Sequence, residues 1–201
     1  LKLLNSNGEF LHPEEVQKVI KETKRTQSNK EKPGNLSSYA NALDDHINLI
    51  LSQNFINKNN IASKSIAVAV DGINSVGGVA IPKFLESLGI KKIKKINCNP
   101  DGNFNHNPEP LPENITDLCS EVKRGKYQLG FVVDPDADRL FLVDERGEPF
   151  GEEYTLVAAA EYLLSKNHGA STCSNLSSTL ALKNITEKYG GKYFSLSLIH
   201  I

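Results

Sequence analysis

Apolar positions along this 201-residue chain follow two periods, and the switches between them mark its elements. The opening LKLLNSNGEFL reads as a strand, an Asn-Gly turn and a returning strand. Pro13 then suits a first helical turn, and Val16, Val19 and Ile20 share one face of the helix that follows. Residues 24–36 are polar, contain Pro33 and Gly34, and read as a linker. Residues 37–55 resume helical spacing through Ala40, Leu43, Ile47 and Ile50, which predicts a helix bridging two domains.

From residue 65 the pattern is a strand over 66–70, a loop over 71–78, a helix over 79–88 and a strand over 93–98. A loop rich in Pro, Asn and Gly follows, then a helix near 113–124 and a short apolar run over 130–133. A second apolar run, 140–143, ends in turn residues 144–147. Strands alternating with helices predict an α/β fold. A further α/β unit is expected from a helix over 152–165, a strand near 170–174, a helix near 179–189 and a strand after Tyr193.

Between the two apolar runs stand Asp134, Asp136 and Asp138, followed at once by Arg139. A strand places residues i, i+2 and i+4 on one side, and Pro135 forbids a helix interior, so the three carboxylates are expected to converge. Two carboxylates about 5 Å apart repel by roughly 3 kcal/mol at an effective dielectric near 20. A divalent cation or a proton would relieve that repulsion. Oxygen donors without His or Cys select hard ions, and a site with few protein ligands suits magnesium, which keeps water and phosphate in its shell. The loop also lies at a strand end, where ligands gather in open α/β sheets.

A solvated acidic turn competes with that site. A calcium loop of the EF-hand type would place Glu145 at its twelfth position, but Arg139 stands where the sixth position needs glycine, and strands flank the loop where helices are required. The segment DGINSVGG, residues 71–78, lacks both GxGxxG and the Walker lysine spacing, and reads as a tight strand-to-helix turn.

Composition narrows the picture without changing it. With 39% hydrophobic and 23% charged residues the chain is ordinary for a globular protein. A net charge of -1 leaves no broad field for nucleic acid or an anionic membrane, so neither partner is expected. Lys91, Lys92, Lys94 and Lys95 read as a solvated strand edge. No stretch approaches 18 apolar residues and the start lacks signal-peptide order, so a cytoplasmic location is expected. Cys98, Cys119 and Cys173, widely spaced and odd in number, are expected to be reduced, structural thiols. The closing LSLIHI is what CTG TCT CTT ATA CAC ATC encodes, a transposase adapter end, so residues 196–201 are expected to be a library artefact.

Taken together, VVDPDADRLFLVD, the preceding PDGNFNHNPEPLPEN and VAVDGINSVGG resemble the α-D-phosphohexomutase family, which includes phosphoglucomutases, phosphomannomutases and phosphoglucosamine mutases. The resemblance implies mixed-sheet α/β/α sandwich domains, four of them around one cleft, and a phosphoserine that exchanges its phosphoryl group with a hexose or hexosamine phosphate through a bisphosphate intermediate. It implies that Asp134, Asp136 and Asp138 hold Mg2+ against that phosphoserine, that Arg139 orients phosphate or substrate, and that Lys2 transfers a proton or contacts phosphate.

On this resemblance residues 1–34 would end a first domain, 35–147 would form the second, metal-carrying one, and 148–195 would begin a third. The chain would then be truncated at both ends, without the catalytic serine, the sugar loop or the phosphate clamp, and inactive by itself. The full-length protein would be a monomer or homodimer, of the phosphoglucosamine or phosphomannose type. Neither Ser6 nor Ser75 has the serine-loop context. Glu152 and Glu153 read as helix N-terminal acids, and at 175–179 a ligand role is weakened by Leu180, where related sequences often carry arginine. Two other readings compete: a non-catalytic divalent-cation module, and a haloacid-dehalogenase-like phosphatase, the latter weakened by Asp138 in a Thr/Val position.

Overall fold

The computed structural model describes residues 3–24, 35 and 37–197. It divides into two compact units, Leu1–Tyr39 and Ala40–Ile201. In the first, the expected strand pair reduces to a single bridge between Leu4 and Phe10. The reason is local: the Asn5 side chain accepts the Asn7 and Glu9 backbone N–H groups and closes a turn before a ladder can extend. Helix α1, Pro13–Thr23, starts where expected, with the Glu15 carboxylate accepting the His12 N–H at 2.9 Å.

The second unit opens with helix α2, Ala42–Leu51, shorter than the helix expected over 37–55. Ser52 and Gln53 turn their side chains back onto the Leu49 carbonyl and end it. A second short helix, α3, Lys58–Ser63, has no counterpart in the sequence reading. Its one-turn sequence KNNIAS is too polar to show a period, and it forms because Asn57 caps Asn60 N–H at 2.9 Å while Ile61 packs into the core.

The sheet then builds around strand β1, Ala67–Asp71. Helix α4 (Gly77–Ser87) leads to β2 (Lys92–Ile96), helix α5 (Thr116–Gly125) to β3 (Leu129–Val133), and a hairpin to β4 (Leu140–Val143). The spatial order is β2-β1-β3-β4. Strand β1 pairs in parallel with β2 (Val68↔Ile93) and with β3 (Ala69↔Gly130), while β3 pairs antiparallel with β4 (Val132↔Phe141). Strand β1 is buried along its whole length, hence its AVAV run, with Val68 and Val70 facing α4 through Leu85 and Leu88. On the opposite face Ala69 meets α5 through Ile115, Leu118 and Val122, together with Val132, Phe141 and Val143. Helices therefore cover both faces of a mixed sheet, the α/β/α arrangement. Strand β2 is an edge, and Lys92, Lys94 and Lys95 on it are exposed as expected.

The turn between β1 and α4 is held open by glycine. A Cβ on Gly72 would lie 2.2 Å from Gly78 Cα, one on Gly77 would lie 2.2 Å from Val133 Cγ2, and one on Gly78 would lie 2.6 Å from Cys98 Cα. The helix expected over 113–124 begins later, because Pro112–Asn114 forms a separate 3₁₀ turn. Strand β2 stops at Ile96, before the 93–98 expectation, where Asn97 turns to φ 47°.

Beyond β4, helix α6 (Glu152–Lys166), strand β5 (Thr172–Asn175), helix α7 (Leu180–Lys188) and strand β6 (Tyr193–Leu196) follow, with β5 and β6 paired in parallel. Leu196 closes β6 against Asn175, and residues 198–201 lie outside the described residues. Cys98, Cys119 and Cys173 form no disulfide, and burial pushes the thiols of Cys98 and Cys119 up. Among the described residues no helix is long and apolar enough to cross a membrane.

Candidate metal centre

The candidate site grows from the C-terminal ends of the parallel strands. Residues 134–139 are not strand, so alternation along an extended chain does not explain how the carboxylates meet. They meet because the chain reverses in the β3–β4 hairpin. Ala137 N–H donates to the Asp134 carbonyl at 3.0 Å with Ala137 at φ 58°, and this returns Asp138 to the Asp134 side chain. One oxygen from each of Asp134, Asp136 and Asp138 then lies within 4.8 Å of the others. Flanking strands in place of helices also dispose of the EF-hand geometry.

Asp134 is 2% exposed, whereas Asp136 and Asp138 lie at the surface. Its Oδ1 accepts the backbone N–H groups of Asp138 and Arg139, both at 3.1 Å, and its Oδ2 accepts Arg139 Nε at 2.9 Å. Burial alone would raise this carboxyl. The bonds from Arg139 and Asp138, with the guanidinium charge, outweigh burial and hold it below the usual carboxylate range. The buried donor is thus an anion at neutral pH. Arg139 also reaches across the cleft, its Nη1 3.1 Å from Glu109 Oε1.

A second network fixes the facing wall. Asp71 is fully buried at the end of β1 and accepts Ile73 N–H at 3.0 Å and Asn97 Nδ2 at 3.1 Å; His106 Nε2 lies 3.1 Å from its Oδ2. His106 Nδ1 sits 2.8 Å from the Asn107 carbonyl, and Asn74 Nδ2 donates to the Asn103 carbonyl at 2.8 Å. This pins residues 103–109 so that Asn107, Pro108 and Glu109 oppose Asp134, Pro135, Asp136 and Arg139 across a cleft of about 470 Å³. Ser75, at the β1–α4 turn, donates to the Pro135 carbonyl at 2.6 Å and braces the acidic loop.

The bracing by Ser75, the Asp71–His106 contact and the Glu109–Arg139 pair are absent from the sequence reading. Each joins residues 30 to 60 positions apart, and no local period encodes such contacts. Lys2 lies outside the described residues. Glu153, in the first turn of α6, accepts Thr179 N–H at 2.9 Å. In the segment 175–179, Asn175 Oδ1 accepts from Ser177 and Ser178, which closes it on itself. The donor set of the acidic loop, three carboxylates without His or Cys and one of them buried and oriented, fits a hard divalent cation.

Residues 39–147 match the family model "Phosphoglucomutase/phosphomannomutase, alpha/beta/alpha domain II", and the chain belongs to this family. It is 35% identical over 131 residues to "Phosphoglucomutase" of Neisseria gonorrhoeae, covering 64% of this chain and 28% of that relative. It is 36% identical over 132 residues to "Phosphomannomutase/phosphoglucomutase" of Pseudomonas putida, covering 65% and 28% respectively. The matched segment thus spans little more than a quarter of the length of either relative. A crystal structure of a phosphoglucomutase/phosphomannomutase family protein from Burkholderia thailandensis superposes with a TM-score of 0.71 at 24% identity, covering 93% of this chain and 39% of that one, a likeness of fold.

Proposed function

We propose that this chain carries the cation-binding part of a phosphohexomutase, which moves a phosphoryl group between C6 and C1 of a phosphorylated hexose or hexosamine. The observation that carries this function is the convergence of Asp134, Asp136 and Asp138 within 4.8 Å beside Arg139, in a chain belonging to the phosphoglucomutase/phosphomannomutase family.

On this reading the three aspartates hold Mg2+, which when bound supplies positive charge to the non-bridging oxygens of a phosphoryl group. The remaining work falls to the chain itself. Asp134, kept ionised and aimed by two backbone N–H groups, fixes the position of the site. Arg139 offers a second, permanent positive charge at the cleft mouth, where it orients phosphate. Glu109 and Asn107 form the opposite wall. Lys2 transfers a proton or contacts phosphate, and the nucleophilic phosphoserine comes from sequence that this chain does not carry.

Residues 35–147 constitute the second domain of such an enzyme and 148–195 the start of its third. The length of the relatives accords with an enzyme more than twice this size. A cytoplasmic protein, monomeric or homodimeric, is the corresponding assembly. Phosphorus NMR on the protein expressed from the complete gene, supplied with Mg2+ and a hexose 1-phosphate, tests the reaction. Appearance of the 6-phosphate is expected; cation binding without any isomerisation would reduce the site to a non-catalytic module.

A further inference from the structure

The salt bridge between Arg139 and Glu109 is built differently from an ordinary surface pair. Both side chains are about half exposed, 53% and 51%, so the pair itself lies open to solvent. The backbone of Glu109, by contrast, is held on both sides. Its N–H donates to Asn107 Oδ1 at 3.2 Å, and its carbonyl accepts Asn114 Nδ2 and Leu111 N–H, each at 2.8 Å. Upstream, His106 against Asp71 and Asn103 against Asn74 anchor the same loop to the buried end of β1. The chain thus fixes where the Glu109 carboxylate originates and leaves only a solvent-exposed ion pair to be broken.

The charge pattern adds a second point. Three carboxylates, Glu109, Asp134 and Asp136, line this cleft with one guanidinium, and Asp138 converges on the latter two from beside it. Asp134 holds Arg139 through Nε, at the inner side, while Glu109 holds Nη1 at the outer side. Glu109 is outside the convergent trio and so is not needed to gather a cation. A carboxylate on the outer edge of a guanidinium occupies the position that a phosphate oxygen would take.

We propose that Glu109 is a positioning residue that sets phosphate affinity: it holds the outer edge of Arg139 across the cleft, and a phosphate monoester dianion must displace it to reach the guanidinium. The proposal rests on the reading that Arg139 meets phosphate. Exchange of one anion for another at a fixed arginine needs no backbone movement, since Asp134 keeps Nε in place throughout.

The test is a double-mutant cycle on the whole chain, saturated with Mg2+, with methyl phosphate as the probe and its phosphorus chemical shift as the signal. Glu109→Gln is expected to bind methyl phosphate about three- to fivefold more tightly than the wild type, the range that an exposed ion pair supports. Arg139→Gln is expected to bind more weakly than the wild type, and adding Glu109→Gln to it should bring no gain. Mg2+ affinity of Glu109→Gln should stay within about twofold of the wild type, and its thermal midpoint should be unchanged, because its backbone anchors remain.

An equal gain in both backgrounds would reduce Glu109 to through-space repulsion and overturn the proposal, as would a Glu109→Gln variant that binds no more tightly or binds nothing. If Arg139→Gln binds methyl phosphate as well as the wild type, the fault lies earlier, in the assignment of Arg139 to phosphate. A gain confined to the Arg139 background supports both.

Discussion

Two aspartates end neighbouring parallel strands, and they differ in everything but burial. Asp71 closes β1 and Asp134 follows β3 directly, in strands whose register pairs Asp71 with Val132. Both are almost fully enclosed, at 0% and 2% exposure. Asp71 accepts the nearby Ile73 N–H and meets groups from other parts of the fold, Asn97 and His106, which tie β1, the end of β2 and the 103–109 loop together. Asp134 is held by its own hairpin and stands beside two more carboxylates and a guanidinium. Burial therefore does not separate a structural carboxylate from a functional one. The sign of its neighbours does: donors that satisfy Asp71 make a knot, whereas two further carboxylates stand beside Asp134, and the proposed cation site rests on that arrangement.

The contrast breaks most readily at Asp134. Replacing it by alanine removes a proposed cation ligand and three hydrogen bonds, so Mg2+ binding should fall below detection by calorimetry while stability drops by about 3 kcal/mol in urea unfolding. Asp71→Asn should cost about 2 kcal/mol by the same denaturation, since the amide cannot accept at both oxygens, yet leave Mg2+ affinity within about threefold. A tenfold loss there would erase the distinction drawn above.

Asp136→Asn should do the reverse. It keeps volume and removes one ligand charge, so Mg2+ affinity should fall by more than about tenfold with a thermal midpoint within about 2 °C of the wild type. Unchanged affinity in isothermal titration would count against the cation site.

The smallest effect concerns pH. Burial would raise Asp144, but the N–H groups of Glu148 and Arg146 and the Arg146 guanidinium hold it below the usual carboxylate range, as their counterparts hold Asp134. A folded-state value below the unfolded one, near 3.9, means stabilisation that is complete above that pH and lost as pH falls through the folded value. Asp144→Asn should thus be about 1 kcal/mol less stable than the wild type at pH 7, and the gap should close in acid. A gap that widens below about pH 4 would reverse the sign assigned to that carboxyl.

Much of this molecule was legible before its coordinates. Strands, helices and the acidic trio announce themselves because their signals are local: the AVAV run of β1, the lysine-rich edge of β2, and three aspartates within five positions. The trio was legible for a reason only half right. Its spacing suggested strand alternation, but Pro135 and the left-handed Ala137 turn the chain, and proximity comes from the reversal. Helix α3 was invisible because a single polar turn has no period. The wall opposite the acidic loop was invisible for a deeper reason, since Asp71 to His106 and Glu109 to Arg139 are meetings that only the sheet order brings about.

One consequence of the β1–α4 turn reaches further than its residues suggest. Gly72 and Gly78 let backbone touch backbone, Gly77 lets the Val133 side chain pack against the turn, and Ser75 stands between them with its hydroxyl on the acidic loop. A single methyl at Gly77 would act as a wedge against Val133, the residue from which that loop departs. The proposed cation site can therefore be detuned from a neutral position that bears no ligand, by altering a clearance instead of a charge.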